Sequence, residues 1–247
     1  MEDASVMIIG SGAREHVLSR AYEKSPKVKK VIVAPGNDFI SYNRVKEVVL
    51  EKSCCLNESD SIIRAVCKHK PDLVDISNDD SLATLAGDRL KDLHFRVFAP
   101  SKRAAKIEWD KAWSRSFMKE VGISCPDFEV FTDEDSAFNY LKRVYADKCD
   151  ELVFVKASGL CSGKGALKCS CLDEGAKAVY KMKDFGFSGK KFLVERGLLG
   201  EEFSVYALSD GDNFKVFKSS QDNKRLESFD LGEQTGGMGA VSPAGVT

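Results

Sequence analysis

The first hundred residues alternate short apolar runs with amphipathic stretches, and this alternation constrains the fold more than any other feature of the chain. The pattern predicts strands at 5–9, 30–34, 73–76 and 95–98, with helices between them at 15–24, 61–69 and 81–93. Strands that are apolar along their whole length must be covered on both faces, which a parallel sheet with helices on both sides provides. The chain is therefore predicted to begin as an α/β protein with a doubly wound parallel sheet.

Ligands bind at the carboxyl ends of the strands in such sheets, where this chain has the loops 10–14, 34–37 and 77–81. The loop at 10–16, GSGAREH, joins a strand to a helix, so its backbone N–H groups and the positive helix end favour an anion. A dinucleotide-binding fold needs glycine at position 15 and an acidic end to the second strand, but the chain has Glu15 and the neutral turn APGN at 34–37. Arg14 and His16 either hold a phosphate or sugar or are exposed residues of the first helical turn.

The second half of the chain has a different pattern, and a domain boundary is predicted near residue 100. A helical pattern covers 99–121, and beyond it strands and helices follow in an order that favours an antiparallel α+β region. The strands are predicted at 126–131, 152–156, 166–169, 191–195, 203–208 and 214–219, and the helices at 133–145 and 172–183. The polar, glycine-rich stretch 221–247 shows no clear strand or helix and is predicted to be a long loop or an unfinished element.

A glycine-rich loop with two lysines, KASGLCSGKG at 156–165, directly follows a predicted strand. Glycine lets the backbone approach a polyphosphate closely, and lysine supplies a point charge for it. It is not a Walker loop, because Gly165 stands where that motif has a hydroxyl residue. The loop either closes over phosphates or is a mobile hairpin tip.

Two later segments add groups that suit a nucleotide. The sequence ERGLLGEE at 195–202 places backbone amides, apolar surface and carboxylates where a purine and its ribose could be held. The segment from 221 to 240 contains the basic QDNKR and the second glycine-rich sequence, QTGGMGA. Phosphoryl transfer depends mainly on positive charge and positioning, which these segments offer.

Composition excludes several classes of function. The 37 basic and 38 acidic residues nearly cancel, giving a net charge of -1, so there is no electrostatic case for nucleic-acid or membrane-surface binding. No apolar run reaches the about 18 residues of a membrane span, and the acidic start MEDA is unlike a signal peptide. The eight cysteines include no CxxC pair, so neither a disulfide framework nor a metal site is predicted. A cytoplasmic protein is expected.

Six motifs, in this order, resemble the phosphoribosylamine–glycine ligase (glycinamide ribonucleotide synthetase) family of the ATP-grasp superfamily: GSGAREH, APGN, VKASGLCSGKG, GEEFSV, QDNKR and TGGMGAVSPA. The resemblance covers essentially the whole chain. It implies a substrate-side domain at 1–100 and an incomplete ATP-grasp α+β region at 101–247, with a lid subdomain at about 122–195. It also implies that ATP drives the joining of glycine to 5-phosphoribosylamine, through glycyl phosphate, to give glycinamide ribonucleotide in purine biosynthesis.

The resemblance also assigns roles to individual residues. Lys111 and Lys156 would neutralise the ATP phosphates under the loop at 157–165, and Arg225 would act at the acyl phosphate. The expected ATP-site residues are Lys111, Lys156, Gly159, Gly163, Lys164, Gly165, Glu195, Arg196, Gly197, Leu198, Glu202, Gln234, Gly236 and Gly237. Of these, 195–198 would hold adenine through edge amides, Glu202 the ribose, and the loop at 236–237 would also help to form the glycine site. Phosphoribosylamine would be framed by Gly12, Arg14, Glu15, Gly36, Asn37 and Asp79.

The chain departs from the family pattern in several respects. Ala13, Asn223 and Gln234 stand where the family has glycine, histidine and asparagine. The turn after the third predicted strand is SNDDSL at 77–82 instead of GPEAPL, so Asp79 replaces a longer glutamate. Family members also continue beyond this length, through the Mg²⁺ ligands, so no metal ligand is assigned here and the chain alone is expected to be inactive or weakly active. The alternatives are a non-catalytic nucleotide-binding or scaffold protein that pairs with a longer relative, and a different ATP-grasp ligase.

Overall fold

The computed structural model describes residues 3–42, 44–161 and 163–245, with only the backbone of Asp230, Glu233 and Gln234. The chain divides into two compact units, Met1–Ser114 and Arg115–Thr247. No helix in the described ranges is long and apolar enough to cross a membrane.

The first unit contains a five-stranded sheet in which every pair of neighbouring strands is parallel. Its strands are β1 (Ala4–Gly10), β2 (Val28–Pro35), β3 (Glu47–Leu50), β4 (Leu73–Ile76) and β5 (Val97–Phe98), in the order β3-β2-β1-β4-β5. Its helices are α1 (Ala13–Lys24), α2 (Ser59–His69), α3 (Asp79–Leu82), α4 (Ala86–Asp92) and α5 (Lys102–Trp109), with a 3-10 turn at Asp38–Ser41. The helix α6 (Lys111–Glu120) spans the boundary between the units. The predicted doubly wound parallel sheet is confirmed.

Successive residues of the central strand β1 belong to different clusters of buried side chains. Met7 and Ile9 pack into one cluster, whereas Val6 and Ile8 pack into another. Because side chains alternate between the two faces of a strand, both faces of the sheet are buried. Full burial of one such side chain contributes about 1.5–3 kcal/mol, which explains why the strand is apolar throughout.

Strand β3 was not predicted, and its position explains why. It lies at one edge of the sheet, and none of its four residues is fully buried. Its apolar run, Val48 to Leu50, has three residues and is shorter than the four-residue runs of the central strands β1 and β2.

Two predicted helices are each divided by a polar side chain. The stretch 81–93 is split because Thr84 Oγ1 donates to the Ser81 carbonyl oxygen (2.7 Å) and accepts from the Ala86 amide (3.0 Å). The stretch 99–121 is split at Asp110, whose carboxylate accepts from the Trp113 amide at the start of α6 (3.1 Å). Each side chain satisfies backbone groups that the helix ends leave open.

The second unit contains a four-stranded antiparallel sheet. Its strands are β6 (Phe128–Phe131), β7 (Val153–Ala157), β8 (Ala166–Cys169) and β9 (Phe192–Arg196), in the order β6-β9-β7-β8. The helices α7 (Glu134–Asp147) and α8 (Leu172–Lys181), followed by a 3-10 segment at Met182–Gly189, contribute to a core with one face of this sheet. The other face carries the alternate residues of β7 and β9, which are Phe154, Lys156, Leu193 and Glu195.

The last part of the second unit forms two antiparallel hairpins. They consist of β10 (Ala207–Ser209) with β11 (Phe214–Val216), and β12 (Gln221–Glu227) with β13 (Leu231–Val241), the second pair joined by a 3-10 turn at Ser228–Asp230. The prediction that 221–247 lacks strands is therefore wrong. Among the described side chains from 197 to 245, only Ala244 is buried. The apolar alternation used to predict strands is weak here because neither face of these strands is covered.

Candidate functional site

The carboxyl ends of β1 and β2 are joined directly by hydrogen bonds. The Gly36 amide donates to the Gly10 carbonyl oxygen (3.0 Å), and Asn37 Nδ2 donates to the Ser11 carbonyl oxygen (2.6 Å). Asn37 also begins the following 3-10 turn, because its Oδ1 accepts from the Phe39 amide. The predicted residues Gly36 and Asn37 thus lie beside the GSG turn.

Arg14 connects the same turn to the end of β4. Its Nη1 donates to the Ser77 carbonyl oxygen (2.9 Å) and lies 3.5 Å from Asp79 Oδ1. Both charged side chains remain largely in solvent, with 62% and 45% of their surface exposed. The structure therefore brings five of the residues predicted to bind phosphoribosylamine to the carboxyl ends of β1, β2 and β4. These residues are Gly12, Arg14, Gly36, Asn37 and Asp79.

Glu15 also lies at this turn, on its inner side. Its side chain is buried, and its carboxylate accepts a hydrogen bond from the Gly12 amide (2.7 Å) at the start of α1. Gly10 has a φ of 147°, and a Cβ there would lie 2.4 Å from the Glu15 side chain. Glu15 thus caps the helix and shapes the turn, and it occupies one of the amides that would otherwise meet an anion.

In the second unit, Lys156 and Glu195 meet on the sheet face opposite the helices. Lys156 is paired in register with Leu193 and Glu195 with Phe154, so the two charged residues are diagonal neighbours on adjacent strands. Lys156 Nζ lies 2.5 Å from Glu195 Oε1. Glu195 is only 3% exposed, whereas Lys156 keeps 20% of its side-chain surface in solvent. The structure thus brings two predicted ATP-site residues into direct contact.

Arg115, on α6, is the second cation at Glu195. Its Nε donates to Oε2 (2.7 Å) and its Nη2 donates to Oε1 (3.3 Å). Burial would raise the pKa of Glu195, but hydrogen bonds and charge from Arg115 and Lys156 outweigh it and hold that pKa below its usual value. The hydrogen bonds to Glu195 likewise raise the pKa of Arg115. The carboxylate is ionised at neutral pH and faces two cations, so this cluster has one excess positive charge.

The glycine-rich loop after β7 is anchored at both ends. The Gly159 amide donates to the Ser188 carbonyl oxygen (3.0 Å), and a Cβ at Gly159 would lie 2.8 Å from Ser188 atoms. A Cβ at Gly165 would lie 2.7 Å from Cys161 Cβ. Close packing, rather than freedom of motion, therefore requires glycine at these two positions. Gly163, with a φ of 78°, and Lys164 form the exposed tip.

This tip approaches the second glycine-rich sequence. A Cβ at Gly163 would lie 3.8 Å from Gly236 Cα, so the two loops are close to van der Waals contact. Gly237 has a φ of 124°, and its amide donates to Thr235 Oγ1 (3.1 Å). The backbone of Gln234 lies in β13, but its side chain is outside the described part of the chain.

The segment 195–198, expected to hold adenine through its amides, has two of them already engaged. The Arg196 amide donates to the Asp127 carbonyl oxygen (2.9 Å), and the Gly197 amide donates to the Leu152 carbonyl oxygen (2.6 Å). A Cβ at Gly197 would lie 2.2 Å from Leu152 Cγ, so this close approach requires glycine. Of the amides expected to contact adenine, that of Leu198 is then the best candidate, because Leu198 is exposed just beyond the strand.

Strand β12 brings basic residues to the predicted ribose carboxylate. Lys224 Nζ forms an ion pair with Glu202 Oε1, and the Glu202 side chain is 66% exposed. Arg225 Nη1 donates to the Gly232 carbonyl oxygen across the hairpin turn (3.1 Å). Lys224 was not among the predicted site residues, although the adjacent basic pair in QDNKR was a signal for it.

The helix α6 carries one residue that was predicted for the site, Lys111, and one that was not, Arg115. Lys111 is the first residue of α6 and belongs to the first unit. Arg115 was missed because only the fold brings it to Glu195, eighty positions later in the chain. Its one sequence signal is a basic residue one turn after Lys111 on an amphipathic helix.

The described residues contain no group of three or more His, Cys, Asp or Glu side chains that could hold a metal ion. Magnesium therefore stays a prediction from the resemblance, and no chemical step is assigned to it.

Comparisons with known proteins agree on one family. The model of the phosphoribosylglycinamide synthetase N domain matches residues 4–108, and that of the phosphoribosylglycinamide synthetase ATP-grasp (A) domain matches residues 109–247. Phosphoribosylamine–glycine ligase from Chlorobaculum tepidum is 36% identical over 245 residues, which are 97% of this chain and 56% of that protein. The chain thus spans about half the length of the curated relatives it matches.

Solved structures give the same result for the fold. The phosphoribosylamine–glycine ligase of Thermotoga maritima is similar with a TM-score of 0.72 and 27% identity, over 96% of this chain and 55% of that one. The N5-carboxyaminoimidazole synthetase of Staphylococcus aureus, solved with ADP, has a TM-score of 0.66 and 17% identity, over 91% of this chain and 56% of that one. At that identity the second likeness concerns the fold alone.

Proposed function

The chain belongs to the phosphoribosylglycinamide synthetase family, and we propose from this that it takes part in the ATP-dependent ligation of glycine to 5-phosphoribosylamine in purine biosynthesis. The substrates are glycine, 5-phosphoribosylamine and ATP, and the products are glycinamide ribonucleotide, ADP and phosphate. ATP is the best supported substrate of this proposal, because the family model that matches residues 109–247 is that of an ATP-grasp domain.

The observation that carries the nucleotide assignment is the pair of cations at Glu195. Lys156 is partly exposed on an ordered strand that leads directly into the glycine-rich loop. The cluster keeps one positive charge in excess after Glu195 is paired, and an anion of several charges would compensate it. Lysine suits this task because its ammonium is a compact point charge on a flexible stem. We place the ATP phosphates at Lys156, with Gly163 and Lys164 of the loop tip above them.

The family resemblance implies the chemistry of the reaction, and the charges of the site suit it. An oxygen of the glycine carboxylate attacks the γ-phosphorus of ATP, ADP leaves, and glycyl phosphate forms. The amine of phosphoribosylamine then attacks the acyl carbon, phosphate leaves, and the amine loses a proton. Lys156 and Arg225 stabilise the negative charge that moves onto ADP and the acyl phosphate. The protein's task in this scheme is to position and neutralise, without a covalent intermediate on its own residues.

The remaining substrates are assigned to the other charged clusters. Phosphoribosylamine is placed at the first sheet's edge, where Arg14 and Asn37 flank the GSG turn. Adenine is placed at the Leu198 amide and the ribose at Glu202, which would exchange Lys224 for the ribose hydroxyls. Glycine is placed near Gly236 and Gly237, which adjoin the loop tip. Cytoplasmic location and magnesium dependence stay predictions.

The ligase function is tested by measuring ADP release with each substrate omitted in turn. ADP formation that requires both glycine and phosphoribosylamine supports the ligase function and contradicts the expectation that these 247 residues alone have little activity. ATP binding by the chain without turnover favours the non-catalytic nucleotide-binding alternative. Absence of ATP binding would refute the nucleotide site itself.

A further inference from the structure

Arg115 has no role in the site as the sequence predicts it, yet it makes the more extensive contact with Glu195. Its guanidinium contacts both carboxylate oxygens, at 2.7 and 3.3 Å, whereas Lys156 contacts only Oε1, at 2.5 Å. Two cations therefore share a carboxylate that is 3% exposed. If one cation moves away from Glu195, the buried carboxylate stays paired as long as the other cation remains in contact with it.

We propose that Arg115 is a positioning residue that keeps Glu195 paired, so that the Lys156 ammonium is available to the phosphates of ATP. This inference rests on the proposed nucleotide site. It assigns to α6 a part in nucleotide affinity that the predicted contacts do not include.

The chemistry of the two cations explains why Arg115 would stay with Glu195 while Lys156 binds the phosphates. A guanidinium binds a carboxylate as a planar fork through two N–H groups, and this geometry holds it in place. A lysine ammonium makes equivalent contacts in many directions, so Lys156 can turn from Glu195 toward a phosphate at little geometric cost. If Arg115 is absent, turning Lys156 away would leave Glu195 buried, charged and unpaired, which is strongly unfavourable.

The same reasoning makes Glu195 a competitor of ATP for Lys156. The contact with adenine assigned to 195–198 uses backbone amides and not the Glu195 side chain. Removing the charge of that side chain should then leave ATP binding as tight as in the wild type or tighter. It should also remove the need for Arg115, because no buried carboxylate remains to be paired. A guanidinium that merely supported the fold would not show this dependence on residue 195.

The test is a calorimetric titration of ATP into the wild-type chain and into the Arg115→Gln, Arg115→Lys, Glu195→Gln and Arg115→Gln/Glu195→Gln variants. Arg143→Gln is the matched control, because Arg143 is an exposed arginine on α7. Thermal unfolding of every variant is followed by circular dichroism to separate lost affinity from lost structure.

We expect Arg115→Gln to weaken ATP binding about tenfold, the size typical of coupling between contacting residues. Arg115→Lys should recover most of the affinity, and Arg143→Gln should leave it unchanged. The double variant should bind more tightly than Arg115→Gln. If Arg115→Gln does not fold, the remaining comparison decides: Glu195→Gln must then bind at least as tightly as the wild type.

Four results would overturn the inference. If the wild type binds ATP and Arg115→Gln binds equally well, Arg115 has no positioning role. If the double variant is no better than Arg115→Gln, or if Glu195→Gln binds clearly more weakly than the wild type, Glu195 does not compete for Lys156. If the wild type itself does not bind ATP, the proposed function fails and the inference fails with it, and this outcome is distinct from the other three.

Discussion

The two parts of the second unit that carry nucleotide-site residues are built in different ways. In the four-stranded sheet, Val155, Leu193 and Val194 are almost fully buried, and helices cover one face. In the two hairpins, large apolar side chains are exposed, for example Phe214 at 75% and Phe229 at 95%. Packing therefore fixes the position of Lys156 and Glu195, whereas backbone pairing and surface contacts fix that of Glu202 and the glycines of β13.

The charged groups of the two parts differ in the same way. Glu195 is buried and binds two cations, whereas Glu202 is exposed and pairs only with Lys224 among the residues that the structure describes. A buried charge that loses its partners is costly, but an exposed ion pair contributes only about 0–1 kcal/mol. The comparison predicts that substitutions of the same kind will have large effects in the sheet and small ones in the hairpins.

The largest difference is expected for apolar truncation. Leu141→Ala removes a fully buried side chain from the α7 core and should lower the free energy of unfolding by about 2–5 kcal/mol. Phe214→Ala in β11 should change it by less than about 0.5 kcal/mol, because that side chain is exposed. Urea denaturation of both variants measures this. Equal losses would show that the hairpins are as well packed as the sheet.

A smaller difference is expected for the two glutamates. Glu195→Gln leaves Arg115 and Lys156 without their carboxylate and should lower the free energy of unfolding by about 1–3 kcal/mol. Glu202→Gln should lower it by at most about 1 kcal/mol, and 1 M salt should abolish that effect by screening. A salt-insensitive loss for Glu202→Gln would contradict the assignment of its ion pair to the surface.

The first unit also contains a buried carboxylate, that of Glu51, whose contribution to stability depends on pH. Lys68, Ser53 and His69 donate hydrogen bonds or charge to the buried Glu51 and lower its pKa from 4.5 to about 2. Because the folded-state pKa is lower than the unfolded one, this stabilisation is present above about pH 5 and is lost as the pH falls toward 2. Lys68 is largely exposed, so the expected loss is about 1–2 kcal/mol. Glu51→Gln should remove this part of the pH dependence, and an unchanged profile would contradict the assignment.

The same contrast explains how much of the fold could be predicted from the sequence. The predicted strand 73–76 agrees with β4, and 166–169 agrees with β8. Strand β3 and the hairpin of β12 and β13 were missed because they lie at an edge or are exposed on both sides. Periodic burial is the signal that the sequence provides, so strands without burial leave little trace in it.

The candidate site shows a similar limit. Lys156 and Glu195 were assigned to the ATP site through the family resemblance, and apolar strands that precede them mark both positions in the sequence. Arg115 was not found, because its contact depends on how α6 packs in the folded unit. The capping role of Glu15 could have been recognised, since an acidic residue three positions after Gly12 is a known signature of a helix start.

An ATP titration of the wild type, Lys156→Ala and Lys177→Ala measures whether the sheet face that carries Lys156 binds ATP. Lys177 is an exposed lysine on α8, the helix that packs against the opposite face. If the ATP phosphates bind Lys156, the wild type and Lys177→Ala will bind ATP saturably, and Lys156→Ala will bind it at least about tenfold more weakly. Equal affinities for all three proteins would contradict ATP binding at Lys156.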